Sequence, residues 1–164
     1  MTWIQILLKD PDLRVQCHAA AAHAKRRGAA AWPVVAPLTL APPVSAARAS
    51  ARALAFTGST EALKRLGAQA SKPTLMRESL RGIRSIQDSK LIPILLNLLP
   101  DLEETNLNYG MILTALQNQE WKEVTTGLTS FIQSGNEQKV KTGARLITTL
   151  TRSPELGAPL RAAL

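Results

Sequence analysis

The sequence predicts an all-α protein, a right-handed α-solenoid of about five stacked helical hairpins. Three observations predict it. Apolar residues recur at spacings of three and four, the period of a helix rather than a strand. Blocks of roughly 30 residues overlie one another, apolar on apolar, which is the signature of a repeat array. Hydrophobic residues make up 45% of the 164, yet aromatics only 4%, so the core is built of Ala, Leu, Ile and Val. Small and aliphatic cores suit closely packed helices.

The repeat is clearest about the turns. Residues 55–70 lie over 84–99 at an offset of 29. Ala51 then meets Leu80, Leu54 meets Ile83, Ala62 meets Leu91 and Leu66 meets Leu95. A step of 33 carries Leu80, Ile83, Leu91, Leu95, Leu98 and Leu99 onto Leu113, Leu116, Val124, Leu128, Phe131 and Ile132. A further 32 carries Val124, Leu128 and Ile132 onto Leu156, Leu160 and Leu164. The changing step falls in turns, where insertions are tolerated.

The spacing places a lone helix at 2–9, ahead of five hairpins in one domain spanning 1–164. The hairpins are 12–26 with 29–40, 43–56 with 60–70, 74–86 with 89–99, 103–117 with 120–133, and 137–151 with 154–163. They give units at 10–40, 42–70, 72–99, 101–133 and 135–164. Each first helix begins at a proline or an acid, both favourable in a first turn. Ser59, Asp88 and Ser153 stand where N-caps of second helices belong. The acids Asp101, Glu103 and Glu104 are expected to open the first helix of the fourth unit, where the dipole favours negative charge.

Two stretches carry a family likeness. "LLKDPDLRVQCHAAAAHAKRRG" (7–28) resembles the opening of a HEAT repeat of the short, phycobilisome-lyase type, with its acid–proline–acid turn and small-residue helix. "GIRSIQDSKLIPILLNLLPD" (82–101) resembles the other end of such a unit, and "STEALKRLG" (59–67) is similar more loosely. The usual Ala-Leu-Gly is missing before the turn in units one and three, and unit four lacks the opening proline. The resemblance implies a stacking mode and, for most such arrays, a scaffold that binds another macromolecule along one face. Some HEAT-like relatives attach or remove bilin chromophores, and another group excises damaged bases from DNA. A repeat specifies a fold rather than a chemistry.

Net charge is +8, unevenly spread. Residues 1–90 hold 14 Lys or Arg against 5 Asp or Glu, and residues 91–164 hold 6 against 7. That asymmetry predicts a basic surface on the first half, attractive to an anionic partner. One cysteine, Cys17, forbids an internal disulfide and points to a reducing, cytoplasmic setting. No apolar run approaches the ~20 residues of a membrane helix, so no membrane partner is expected. The stretch 25–49 has the basic, apolar and small-residue segments of a signal peptide, but it lies inside the chain with four prolines and is expected to be helix.

An arginine ladder is the most regular constellation. Arg48 and Arg52 are one turn apart, Arg77 and Arg81 repeat them at an offset of 29, and Arg84 extends the pattern. Stacked repeats place the first four as a two-by-two grid on adjacent first helices, able to meet phosphates or an acidic surface. No aromatic residue interleaves the grid, so base stacking has little support. On second helices, which line the concave face of such arrays, Lys64, Lys90, Asn97, Trp121 and Lys122 are the candidate protein contacts, Trp being a frequent hot spot.

Cys17, His18 and His23 do not make a metal site. His18 and His23 are five residues apart, on diverging sides of a helix, and they are the two histidines of the chain. A buried, inert Cys17 is expected, with no metal and no cofactor. No nucleophile elbow, phosphate loop or His-Glu zinc motif is present. The expected function is therefore non-catalytic, a protein-binding scaffold or adaptor. The alternatives are a nucleic-acid binder using the Arg grid and, from the resemblance alone, a lyase-like or chaperone subunit for a bilin chromophore. The opening "WIQILL" resembles a second helix without its first, and neither end looks polar-capped. This predicts self-association through the ends, or membership of a longer array.

Overall fold

The computed structural model describes residues 2–151. Among these residues the regular structure is helical throughout, without strands. The chain divides between Ile86 and Gln87 into two compact units.

In the first unit, α1 is Trp3–Leu7, α2 Leu13–Arg27, α3 Trp32–Leu38, α4 Val44–Thr57, α5 Thr60–Ala70 and α6 Pro73–Ile83. A 3₁₀ turn, Gly28–Ala31, leads into α3. Helix α2 packs on α4 and α4 packs on α6, while α3 touches α2 and α4, and α5 touches α4 and α6. Small side chains explain the close approach. The buried residues of α2 are Cys17, Ala19, Ala20, Ala21 and Ala24, and α4 buries Ala46, Ala47, Ala49, Ala51, Ala53 and Ala55 around Leu54. At Gly82 of α6 even a methyl group has no room: a Cβ there would lie 2.5 Å from the Arg48 carbonyl oxygen.

The ends follow local chemistry. Asp12 accepts from the Arg14 amide and caps α2, and Ser59 accepts from the Ala62 amide and caps α5. Gly58 closes α4 in the left-handed conformation, φ 62°, which costs other residues a steric penalty. The signal-like stretch 25–49 is the end of α2, all of α3 and the start of α4.

A polar network crosses this alanine-rich core. Gln69 of α5 is 4% exposed, and Ser50 and Ser79 are fully buried. The Ser50 hydroxyl donates to Gln69 Oε1 at 2.8 Å, and Gln69 Nε2 donates to the Ala47 carbonyl and to Ser79 Oγ, each at 2.9 Å. Ser79 in turn donates to the Leu75 carbonyl at 2.8 Å. One side chain thereby ties α4, α5 and α6 together, with its donors and acceptor satisfied.

The second unit contains α7 (Ile92–Leu98), α8 (Leu107–Gln117), α9 (Trp121–Gln133) and α10 (Glu137–Thr151), with a 3₁₀ turn Ser89–Leu91 before α7. Helix α7 packs on α8 and α9, and α9 on α10. The buried set is large and branched, including Ile92, Leu95, Leu96, Ile112, Leu116, Leu128, Phe131 and Leu146. Gln119 is buried and accepts the Asp88 amide at 2.9 Å, fixing the turn into α7 to the turn between α8 and α9.

The expected boundaries hold within a few residues, with one correction. Helix α8 starts at Leu107 rather than 103, because Asn106 accepts the Asn108 amide as its N-cap. Asp101, Glu103 and Glu104 therefore lie in the preceding turns, not in the helix. The second helix at 154–163, the cap at Ser153 and the matches at Leu156, Leu160 and Leu164 lie outside the described residues.

Candidate functional site

The basic grid begins from the packing of α4 on α6. Arg48, Arg77 and Arg84 are exposed, while Arg52 and Arg81 are half-buried. Arg52 Nε donates to the Gly82 carbonyl across the helix pair at 3.1 Å. Arg81 is paired with Glu78 at 2.6 Å. Two of the five candidates thus carry structural duties, and the outward pair Arg48 and Arg77 keeps the 29-residue relation on neighbouring helices.

Helix α2 extends this face. Arg14, His18, Ala22 and Lys25 are exposed at helical spacing along it. The Lys25 ammonium lies 5.8 Å from the centre of the Phe56 ring, so the last turns of α2 and α4 lie side by side. The Arg52–Gly82 bond likewise joins the later turns of α4 and α6. The three helices therefore run in the same direction.

The candidate protein contacts divide between the two units. Lys64 is exposed on α5 in the first unit. Lys90, Asn97 and Lys122 are exposed in the second unit, where Trp121 is half-buried with its indole nitrogen covered. Between the start of α7 and α9 lies a shallow depression of about 200 Å³, lined in part by Lys90, Pro93, Glu123 and Thr126. Trp32, at the start of α3, is half-buried beneath the Arg65 guanidinium, 4.8 Å from the ring centre. Arg65 also donates to the Ala36 carbonyl, a cation at the C-terminal turn of α3.

Cys17 is fully buried, its thiol 3.6 Å from the Leu38 carbonyl oxygen, and burial pushes the thiol up to about 11. That is the wrong direction for a nucleophile. His18 is exposed and His23 half-buried. Among the described residues no three His, Cys, Asp or Glu side chains are grouped to hold a metal ion, and no helix is long and apolar enough to cross a membrane.

Two further features stand out. The first is α1, which the sequence anticipates as a lone helix. Trp3 is 81% exposed, with Ile6 at 46% and Leu7 at 41%, and no residue of the helix is buried. The clue lies in "WIQILL", whose apolar residues surround a short helix that one neighbour cannot cover. The second is a depression of about 320 Å³ lined by Glu104, Ala144, Arg145, Thr148 and Thr149. Burial and the Glu104 charge push the Tyr109 phenol up, opposed by Arg145 and the Thr149 hydroxyl. Residues so far apart in the chain share no local motif.

With the geometry in view, comparison with family models, curated proteins and solved structures finds no match.

Proposed function

We propose that the protein is a non-catalytic scaffold, a short right-handed HEAT-like solenoid of the cytoplasm that docks another protein. The exposed apolar stripe of α1 carries this reading. Trp3, Ile6 and Leu7 stand at i, i+3 and i+4, the pattern by which a helix presents one face to a partner. An exposed Trp backed by aliphatic neighbours has the composition of a binding hot spot. The solenoid reading draws support from the first unit, where successive first helices are neighbours and each second helix bridges two of them. Lys64 on α5, and Lys90, Asn97 and Lys122 in the second unit, are exposed and stand as further candidate contacts, while Trp121 is a packing residue of α9.

The test is site-specific crosslinking in the host cell, with Trp3→p-benzoylphenylalanine. A discrete protein adduct is expected, lost on Ile6→Asp with Leu7→Asp. Sedimentation velocity of the purified chain separates a second copy from a different partner. No discrete adduct from position 3, with helix content unchanged, sinks the reading.

A further inference from the structure

The face formed by α2, α4 and α6 has a charge balance that solubility does not require. These three helices carry Arg14, Lys25, Arg26, Arg27, Arg48, Arg52, Arg77 and Arg81 against one carboxylate, Glu78. Glu78 is engaged with Arg81, and Asp12, just before α2, with Arg14 at 2.6 Å. Lys25, Arg48 and Arg77 are exposed on three neighbouring helices running in the same direction. Neighbouring helix axes lie about 8–10 Å apart, so the cations spread over about 20 Å.

We infer that this face binds the sugar–phosphate backbone of double-stranded nucleic acid without reading its sequence. This inference is independent of the α1 docking stripe. Three observations choose the ligand. The cations are mostly arginine, whose planar fork matches phosphate oxygens in pairs. The face carries no apolar anchor of the kind a protein interface needs at its centre, since Trp3, Ile6 and Leu7 lie on α1. Its one aromatic ring, Phe56, is half-buried beneath Lys25, which leaves no platform for unstacked bases and so favours duplex over single strand. Backbone rigidity helps: Gly82 brings α6 onto α4, and the Arg52 bond to the Gly82 carbonyl holds the spacing of Arg48 and Arg77.

The experiment is fluorescence anisotropy of a labelled 20-base-pair DNA duplex with the full chain, between 50 and 200 mM KCl. Three phosphate contacts predict that affinity falls about 40-fold across that range. The variant Arg48→Gln with Arg77→Gln removes two contacts and should fall only about 3.5-fold. A charge-matched control, Lys9→Gln with Lys72→Gln, alters exposed lysines of the same unit outside these helices and should keep the full salt dependence. Identical loss in both variants would mean diffuse charge attraction and overturn the proposal. So would tighter binding to polyglutamate, which would mark an acidic protein as the ligand, or tighter binding to single-stranded DNA of the same length. Circular dichroism confirms that each variant is folded.

Discussion

Residues 1–86 bury alanine; residues 87–151 bury leucine, isoleucine and phenylalanine. The first unit has more than ten buried alanines, and the second has Ala115. Surface chemistry differs in parallel. First-unit helices display arginines, whereas α9 displays Thr125, Thr126, Thr129 and Ser130, each donating to the carbonyl four residues back at 2.9–3.1 Å. The two differences are linked in the first unit. Alanine faces let helices approach until an arginine on one can reach a carbonyl on the next, and the grid then gains its spacing. In the second unit the hydroxyls of α9 are already engaged by their own helix. Close packing thus turns a set of surface charges into an ordered one.

The comparison breaks most sharply where volume is removed. Leu95→Ala, at a residue 1% exposed, should cost the second unit about 2–5 kcal/mol, whereas no alanine of the first unit has that much to lose. Hydrogen exchange resolved by unit is the measurement, and the loss should appear in residues 87–151. Gln69→Ala attacks the first unit through polarity instead. It leaves Ser50 and the Ala47 carbonyl without their partner, at about 1–3 kcal/mol for each orphaned group. Gln119→Ala should cost less, because Asp88 is only half-buried and water can replace its partner.

Adding one methyl sharpens the contrast. Gly82→Ala drives a Cβ to 2.5 Å from a backbone carbonyl, while in Gly127→Ala the nearest atom is the Ile92 Cγ2 methyl at 2.7 Å, on a buried side chain whose β-branch leaves it one favoured rotamer. Chemical denaturation should place both variants about 1–3 kcal/mol down, with Gly82→Ala the lower because its obstacle is backbone. The effect at Cys17 is nil at neutral pH and appears only in alkali. Its folded value near 11 lies above the ordinary 9.0, so the folded state keeps a proton that the unfolded state has lost. Stability is therefore level below pH 9 on this account and falls as pH rises from 9 to 11. Cys17→Ala should lack that component, read as the difference between the two pH–stability curves.

Much of the fold was legible because a helix advertises its buried face at every third and fourth residue. The packing of α4 on α6 was legible for a related reason: a repeat offset converts distance along the chain into adjacency. Other features were not. Lys25 joins the basic face only because α2 lies alongside α4, and no spacing in the sequence states that. Gln69 reads as a surface residue by type, and its burial follows from two serines on other helices. The start of α8 moved to Leu107 because one asparagine caps better than the acids before it prefer a helix. The stripe on α1 was visible as an excess of apolar residues, but its exposure depends on what its neighbours leave uncovered.

The Gln69 network has a further consequence. An alanine face is nearly the same after a shift of one helical turn, about 5.4 Å, so packing alone discriminates poorly between sliding positions. Ser50, Gln69 and Ser79 are not interchangeable in that way. A slide of α4 or α6 past α5 would leave methyls in contact but strand three buried polar groups. The glutamine sets the phase of the helices, much as a pin sets two smooth gears. A chain without it would be expected to populate several neighbouring registers, and the arginines riding on α4 and α6 would fall out of step with one another.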